Sequence, residues 1–231
     1  MSDISNCLDF PELLQLILNE YALPQFGTHG VTHWARVWEN GERVAARSGA
    51  KIDVVRLFAI FHDSRRINEG NDPGHGLRGA RFAESLRGKA FDLSDADFKL
   101  LYTACEFHTD GKTLADVTVQ TCWDADRLDL GRVGMRPYPK YLCTDVAKED
   151  ETIEWAFVRG THEFVPADVL KQRQIQPPMS DQSSEITNPK RETDVSVIFS
   201  FRRTEPNPPE LRRAICRLRH ALFSGGARQN R

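Results

Sequence analysis

Apolar residues recur every three to four positions along much of the chain, a period that predicts helices separated by turn signals. Leu8 to Tyr21 carries Leu13, Leu14, Leu16, Ile17 and Leu18, with Pro11 tolerated in the first turn. Thr28 to Ser48 is amphipathic through Val31, Trp34, Val37, Trp38, Val44 and Ala45, and stops at Gly49, a C-cap residue. Asp53 is the expected cap of a strongly apolar helix, Val54 to Phe61, which runs directly into His62 and Asp63. After the polar, glycine-rich stretch Asn68 to Gly74, a further helix is expected from His75 and Gly76, carrying Ala80, Ala83 and Leu86. Ser94 is a good N-cap for the next one, in which Phe98, Leu100, Leu101 and Ala104 lead to Phe107 and His108. Val117 to Leu130 reads as the helix that holds Asp126. There is no repeat period and no glycine-rich strand-to-helix turn, so the expected class is all-α, a compact helical bundle.

The pattern changes near residue 170. Of the 231 residues, those before 172 include 20 basic and 27 acidic side chains, and the remainder 11 and 6. The body is therefore near −7 and the tail near +5, although the whole chain is only −2. Half of the prolines fall between 177 and 209, a linker composition, so the expected domains are 1–170 and a Pro/polar-rich, basic 171–231. Within that tail, Val195 to Phe201 has strand character. Leu211, Ile215, Leu218 and Leu222, among four arginines, predict a short amphipathic helix over 210–223. Such a helix suits nucleic acid, a membrane surface or a protein partner, or simply packs weakly.

Hydrophobic content of 40% and charged content of 28% are those of a soluble globular protein. Five cysteines at 7, 105, 122, 143 and 216, with no Cys-x-x-Cys pair, indicate neither a disulfide framework nor a thiolate zinc site. A cytoplasmic setting is expected, since no signal core and no membrane-length apolar run is present. Nucleic acid is expected to engage only the basic tail, if it binds at all, and an oligomer stays open.

Chemistry concentrates in His33, the adjacent pair His62 and Asp63, and Asp126, spread over three predicted helices. Imidazole nitrogen and carboxylate oxygen suit divalent ions, and an adjacent His-Asp at a helix end delivers both donor types together. Arg36 follows His33 by three residues, so both can face one cleft. A lone helical histidine is usually structural. Further helices that each offer a His or Asp at an apolar-to-polar junction make the set a candidate metal cage.

The order His, His-Asp, Asp, carried by His33-Trp34-Ala35-Arg36-Val37, Phe58-Ala59-Ile60-Phe61-His62-Asp63 and Asp124-Ala125-Asp126-Arg127-Leu128, resembles the HD superfamily of metal-dependent phosphohydrolases. The resemblance covers roughly residues 25 to 135. It implies that His33, His62, Asp63 and Asp126 hold one or two divalent ions, which could be Mn, Co, Ni, Fe, Zn or Mg. Asp126 is selected over Asp124 because the family's last ligand is the Asp of an Ala-Asp-x-Leu step, leaving Asp124 and Asp129 to support or capping. His75 and His108 fall where two-metal members complete a second site, with Asp63 bridging; they could instead bind substrate phosphate or cap their helices. Many members carry a Lys three places after the paired Asp, and Arg66 stands at that place, beside Arg65.

The implied activity is hydrolysis of a nucleotide or another small phosphorylated metabolite by a metal-activated water. Asp63 is the expected general base, and Arg66, Arg36 and Arg127 are the candidate phosphate-binding cations, since a guanidinium fork matches phosphate oxygens. Arg65 reads equally as a phosphate ligand or as neutralising nearby carboxylates. His75 or His108, if unligated, would be the leaving-group acid. Two alternatives remain: a di-iron oxygenase, because the six-ligand order His33, His62-Asp63, His75, His108, Asp126 is also present, and a non-catalytic metal-binding regulatory module. Trp34, Trp38, Trp123 and Phe107 could stack on a base, but helical spacing assigns them more readily to the core.

Overall fold

The computed structural model describes residues 10–162 and 164. The tail expected over 171–231, with its strand at Val195 to Phe201 and helix at 210–223, lies outside the described residues. The described residues form α1 (Phe10–Asn19), α2 (Val31–Ser48), α3 (Ile52–Phe61), α4 (His75–Leu86), α5 (Asp95–Phe107), α6 (Val117–Leu128), α7 (Asp145–Lys148) and α8 (Asp150–Thr161). Two 3₁₀ turns, Asp129–Val133 and Pro139–Tyr141, fall between α6 and α7. No strand occurs among the described residues, and no helix there is long and apolar enough to cross a membrane.

α3 is the shaft of the bundle. Val54, Val55, Leu57, Phe58, Ala59, Ile60 and Phe61 are all buried, as expected of a short helix whose only polar residues are Asp53 and Arg56. α2 lies along α3 and α6, and α4 lies along α5. Trp34, Phe58, Phe61, Leu101 and Trp123 fill the space between them, and each such buried side chain contributes about 1.5–3 kcal/mol. A smaller cluster of Val44, Leu128, Leu142, Val146, Ala147, Ile153 and Ala156 joins α7 and α8 to the end of α6.

Side chains cap the N-termini of α5, α6 and α7, the last through Thr144, which accepts from the Ala147 N–H. Ser94 accepts from the Asp97 N–H and Asp116 from the Thr118 N–H, while Gly49 closes α2 at φ 78°. Asp53 differs from expectation: Lys51 occupies the N-cap of α3, and Asp53 sits inside the first turn, where its charge suits the helix dipole. α7 and α8 were not marked by the apolar pattern, because α7 is only four residues long and, of the buried positions of α8, only Ile153 and Ala156 are apolar.

Candidate metal centre

Helix ends converge on one buried point. His33 sits in the first turn of α2, His62 caps the C-terminus of α3 with Asp63 next to it, His75 opens α4, and His108 caps α5. Asp126 comes from the last turn of α6. The apolar α3 drives its own C-terminus into the interior, and the His62 ring stacks on Phe58 at 4.8 Å between centroids. Gly76 and Gly79 let α4 come close enough to place His75 beside His108. A Cβ at 76 would meet the Cys105 carbonyl and the His108 ring, and one at 79 the Phe61 carbonyl.

The outer nitrogen of every ring is anchored. His62 Nδ1 lies 3.1 Å from the Phe58 carbonyl, His75 Nδ1 2.6 Å from the Asp72 carbonyl, and His108 Nδ1 2.7 Å from the Cys105 carbonyl. A carbonyl only accepts, so these Nδ1 atoms carry hydrogen and, in the neutral ring, Nε2 presents a lone pair. His33 Nδ1 is likewise 2.7 Å from Asp129 Oδ2. All four Nε2 atoms therefore turn inward.

They fall into two groups that share Asp63. His33 Nε2 and His62 Nε2 are 3.1 Å apart, each 3.6 Å from Asp63 Oδ2 and 3.4 and 3.9 Å from Asp126 Oδ1. On the other side, Asp63 Oδ1 is 3.1 Å from His75 Nε2 and 3.6 Å from His108 Nε2, with those nitrogens 2.9 Å apart. Ligand atoms about 2.0–2.2 Å from a common ion stand roughly 3–3.5 Å apart, and these separations match. Lone pairs facing each other at 3 Å in a dry interior repel unless a cation lies between them. The donor set thus fits a metal ion, and both groups could hold one.

Charge states agree with that fit. Burial holds His33 well below the usual imidazole range, with Arg132 and His62 acting in the same direction. Burial also lowers His62 to about 4 against the pull of Asp63 and Asp126. For Asp63 burial alone would raise the pKa, but the neighbouring His62, His108 and His75 outweigh it and hold it well below the carboxylate range. Asp126 is lowered despite burial by His62, Arg132 and His33. His108 is the exception: burial pushes it down, yet Asp63 outweighs burial and raises it, so a proton competes with a cation there.

Four of the arginines singled out by sequence go to different places. Arg66 reaches the cluster: Nη1 is 3.2 Å from His75 Nε2 and 3.4 Å from Asp63 Oδ1. Arg36 does not. It donates from Nε and Nη2 to Asp129 at 2.6 and 3.1 Å, so Asp129 stands between it and His33, and its expected contact with phosphate gives way to bracing a ligand. Arg65 turns outward to the Glu20 carbonyl and carboxylate at 2.9 and 3.0 Å, away from the donor set. Arg127 ties two loops together by donating to the Tyr141 and Lys112 carbonyls, each at 2.8 Å, and likewise does not face the cluster.

Asp124 accepts from Cys143 N, Thr144 N and Thr144 Oγ1, which places it at the start of α7. Trp34 and Trp123 are core residues. Two features had no part in the sequence reading. Arg132 donates to the Asp129 carbonyl at 3.2 Å and leaves a buried Nε without a partner. His29 pairs with Glu69 at 2.5 Å, its ring 6.3 Å from that of His33. The spacing of His29 to His33, one helical turn, was visible; the approach of Arg132 was not, because it depends on how the 3₁₀ turn leaves α6. Compared with known proteins, the chain matches no family model, no curated protein and no solved structure.

Proposed function

We propose that the chain is a metal-dependent hydrolase of phosphoesters, of the HD type that its motif order resembles. One observation carries the reading: six side chains scattered between positions 33 and 126 meet with their donor atoms turned inward, and all of them but Asp126 are buried. His33, His62, Asp63 and Asp126 would hold the ion. When bound, a divalent ion supplies a Lewis-acid charge and hydroxide near neutral pH. Asp63 stands at the centre, ionised, with one oxygen toward each pair of histidines. The Asp126 side chain, 18% exposed against 0–2% for His33, His62 and Asp63, marks the open side, from which substrate would arrive. Arg132, whose charge acts on both His33 and Asp126, brings positive charge to that region, and Arg66 does the same beside Asp63 and His75, so that both would attract a phosphate.

The test is elemental analysis of the purified protein, then a panel of nucleotides and small phosphomonoesters with added Mn, Co, Ni or Mg. Phosphate release that disappears in His62→Ala and Asp63→Ala supports hydrolysis, whereas release unchanged in both would sink it. A second reading has its own support, because His75 and His108 join the same cluster and complete the six-residue order of a di-iron oxygenase. Co-purified iron and turnover that stops when oxygen is excluded would favour it. Tight metal binding without either turnover would leave a regulatory module.

A further inference from the structure

The two donor groups differ in one respect that bears on how many ions the chain takes. An imidazole Nε2 has a single lone pair. At His75 that lone pair already accepts from Arg66 Nη1 at 3.2 Å, and the same nitrogen lies 3.4 Å from Asp63 Oδ1. A guanidinium is always charged and cannot release its protons to make room.

Arg66 is also not free to swing aside. Its Nη2 donates to the Gly70 carbonyl at 2.6 Å and its Nε to the Asn68 carbonyl at 3.3 Å, and the side chain is 7% exposed. The loop that supplies those carbonyls is braced in turn. Gly70 N donates to Asn68 Oδ1 at 2.8 Å, Ile67 N to Asp72 Oδ2 at 2.8 Å, and Arg78 Nη2 to Asp72 Oδ1 at 2.6 Å. The His33 group has no counterpart: Arg36 donates from Nε and Nη2 to the Asp129 carboxylate and Arg132 from Nη1 to the Asp129 carbonyl, and neither bonds an inward-facing atom of His33, His62 or Asp126.

We propose that Arg66 serves as a fixed cation for the His75 group, so that the chain binds one divalent ion, at His33, His62, Asp63 and Asp126, and keeps His75 and His108 free of metal. The proposal rests on the metal-centre reading above. An ion about 2.1 Å from His75 Nε2 would need the lone pair that Arg66 holds and would meet the like charge of the guanidinium. The arginine offsets the negative charge of Asp63 on that side and occupies His75, and His108 is left to meet substrate.

Metal stoichiometry decides it, read by elemental analysis after equilibrium dialysis of the full chain against Mn or Co. The wild type is expected to hold one ion. Arg66→Met, which keeps bulk and removes charge, is expected to hold two, and His108→Ala in that background returns the count to one. His62→Ala is expected to empty the wild-type site, and His108→Ala alone to leave its single ion in place. Arg66→Gln provides the same measurement if the Met variant fails to fold. Two ions in the wild type, or one ion in both charge-removing variants, overturns the role of Arg66 while leaving the metal centre standing. No ion in any of them overturns the metal centre itself.

Discussion

The His33 group and the His75 group are built from the same parts and held in different ways. In both, Nδ1 is anchored and Nε2 faces Asp63. The anchors of His62, His75 and His108 are backbone carbonyls, while His33 leans on Asp129, a buried carboxylate clamped by Arg36. One side therefore depends on a charged brace that reaches across the bundle, and the other on local helix geometry plus one internal cation, Arg66. The contrast teaches that a donor cluster's demand for a metal depends as much on the cations already beside it as on its ligands. The His33 group has none in contact with its inward atoms, so it is the side where an ion relieves most repulsion.

The largest expected effect comes from breaking the His33 group outright. His62→Ala or Asp63→Ala should remove the bound ion and reduce phosphate release to background, a loss beyond the about 10–100-fold expected when only a supporting residue is changed. His108→Ala should leave the ion bound. Equal metal loss in the His62 and His108 variants would erase the distinction between the two sides.

Next in size is the charged brace. Arg36→Ala leaves Asp129 buried beside His33 with one fewer cation, and loss of a partner from a buried pair typically costs about 3–5 kcal/mol. Urea denaturation of the variant should show that destabilisation as a lower midpoint with an unchanged slope. Asp129→Asn should instead act on the ion, since an amide supports the His33 tautomer less strongly than a carboxylate. A weakening of metal affinity of about 10–100-fold is expected. Measured by competition with a chelator, unchanged affinity would show that His33 needs no brace.

Much of this was legible in the sequence because the apolar period and the ligand types coincide. α3 closes on the unbroken apolar run Leu57 to Phe61 and ends at His62, so its burial and the burial of the donor pair follow from the same residues. The choice of Asp126 needed the motif resemblance, and it is Asp126 that the structure places 3.4 Å from His33 Nε2. What was not legible lies in long-range placement. Helical spacing puts Arg36 on the face of His33 but is silent about Asp129, 93 positions away, which comes between them. Arg65 and Arg66 are neighbours with equal chemistry, and only the path of the loop after α3 sends one outward to Glu20 and the other inward to His75.

The smallest effect, and the one that separates the two sides by sign, is the pH dependence of stability in chelator-treated protein. His62 has a folded pKa of about 4, below its ordinary value near 6.5, so between those values the unfolded chain binds more protons. Stability contributed by the neutral ring is complete above 6.5 and is lost as pH falls toward 4, at up to about 1.4 kcal/mol per pH unit for one proton. His33 is lowered as well and acts in the same direction. His108 is raised, so its contribution is complete below 6.5 and is lost as pH rises through its folded pKa. His62→Gln should therefore flatten the acid side of the stability profile, and His108→Gln the neutral-to-alkaline side. Urea midpoints from pH 4.5 to 8 would test this, and the same flattening in both variants would show that the two groups titrate as one.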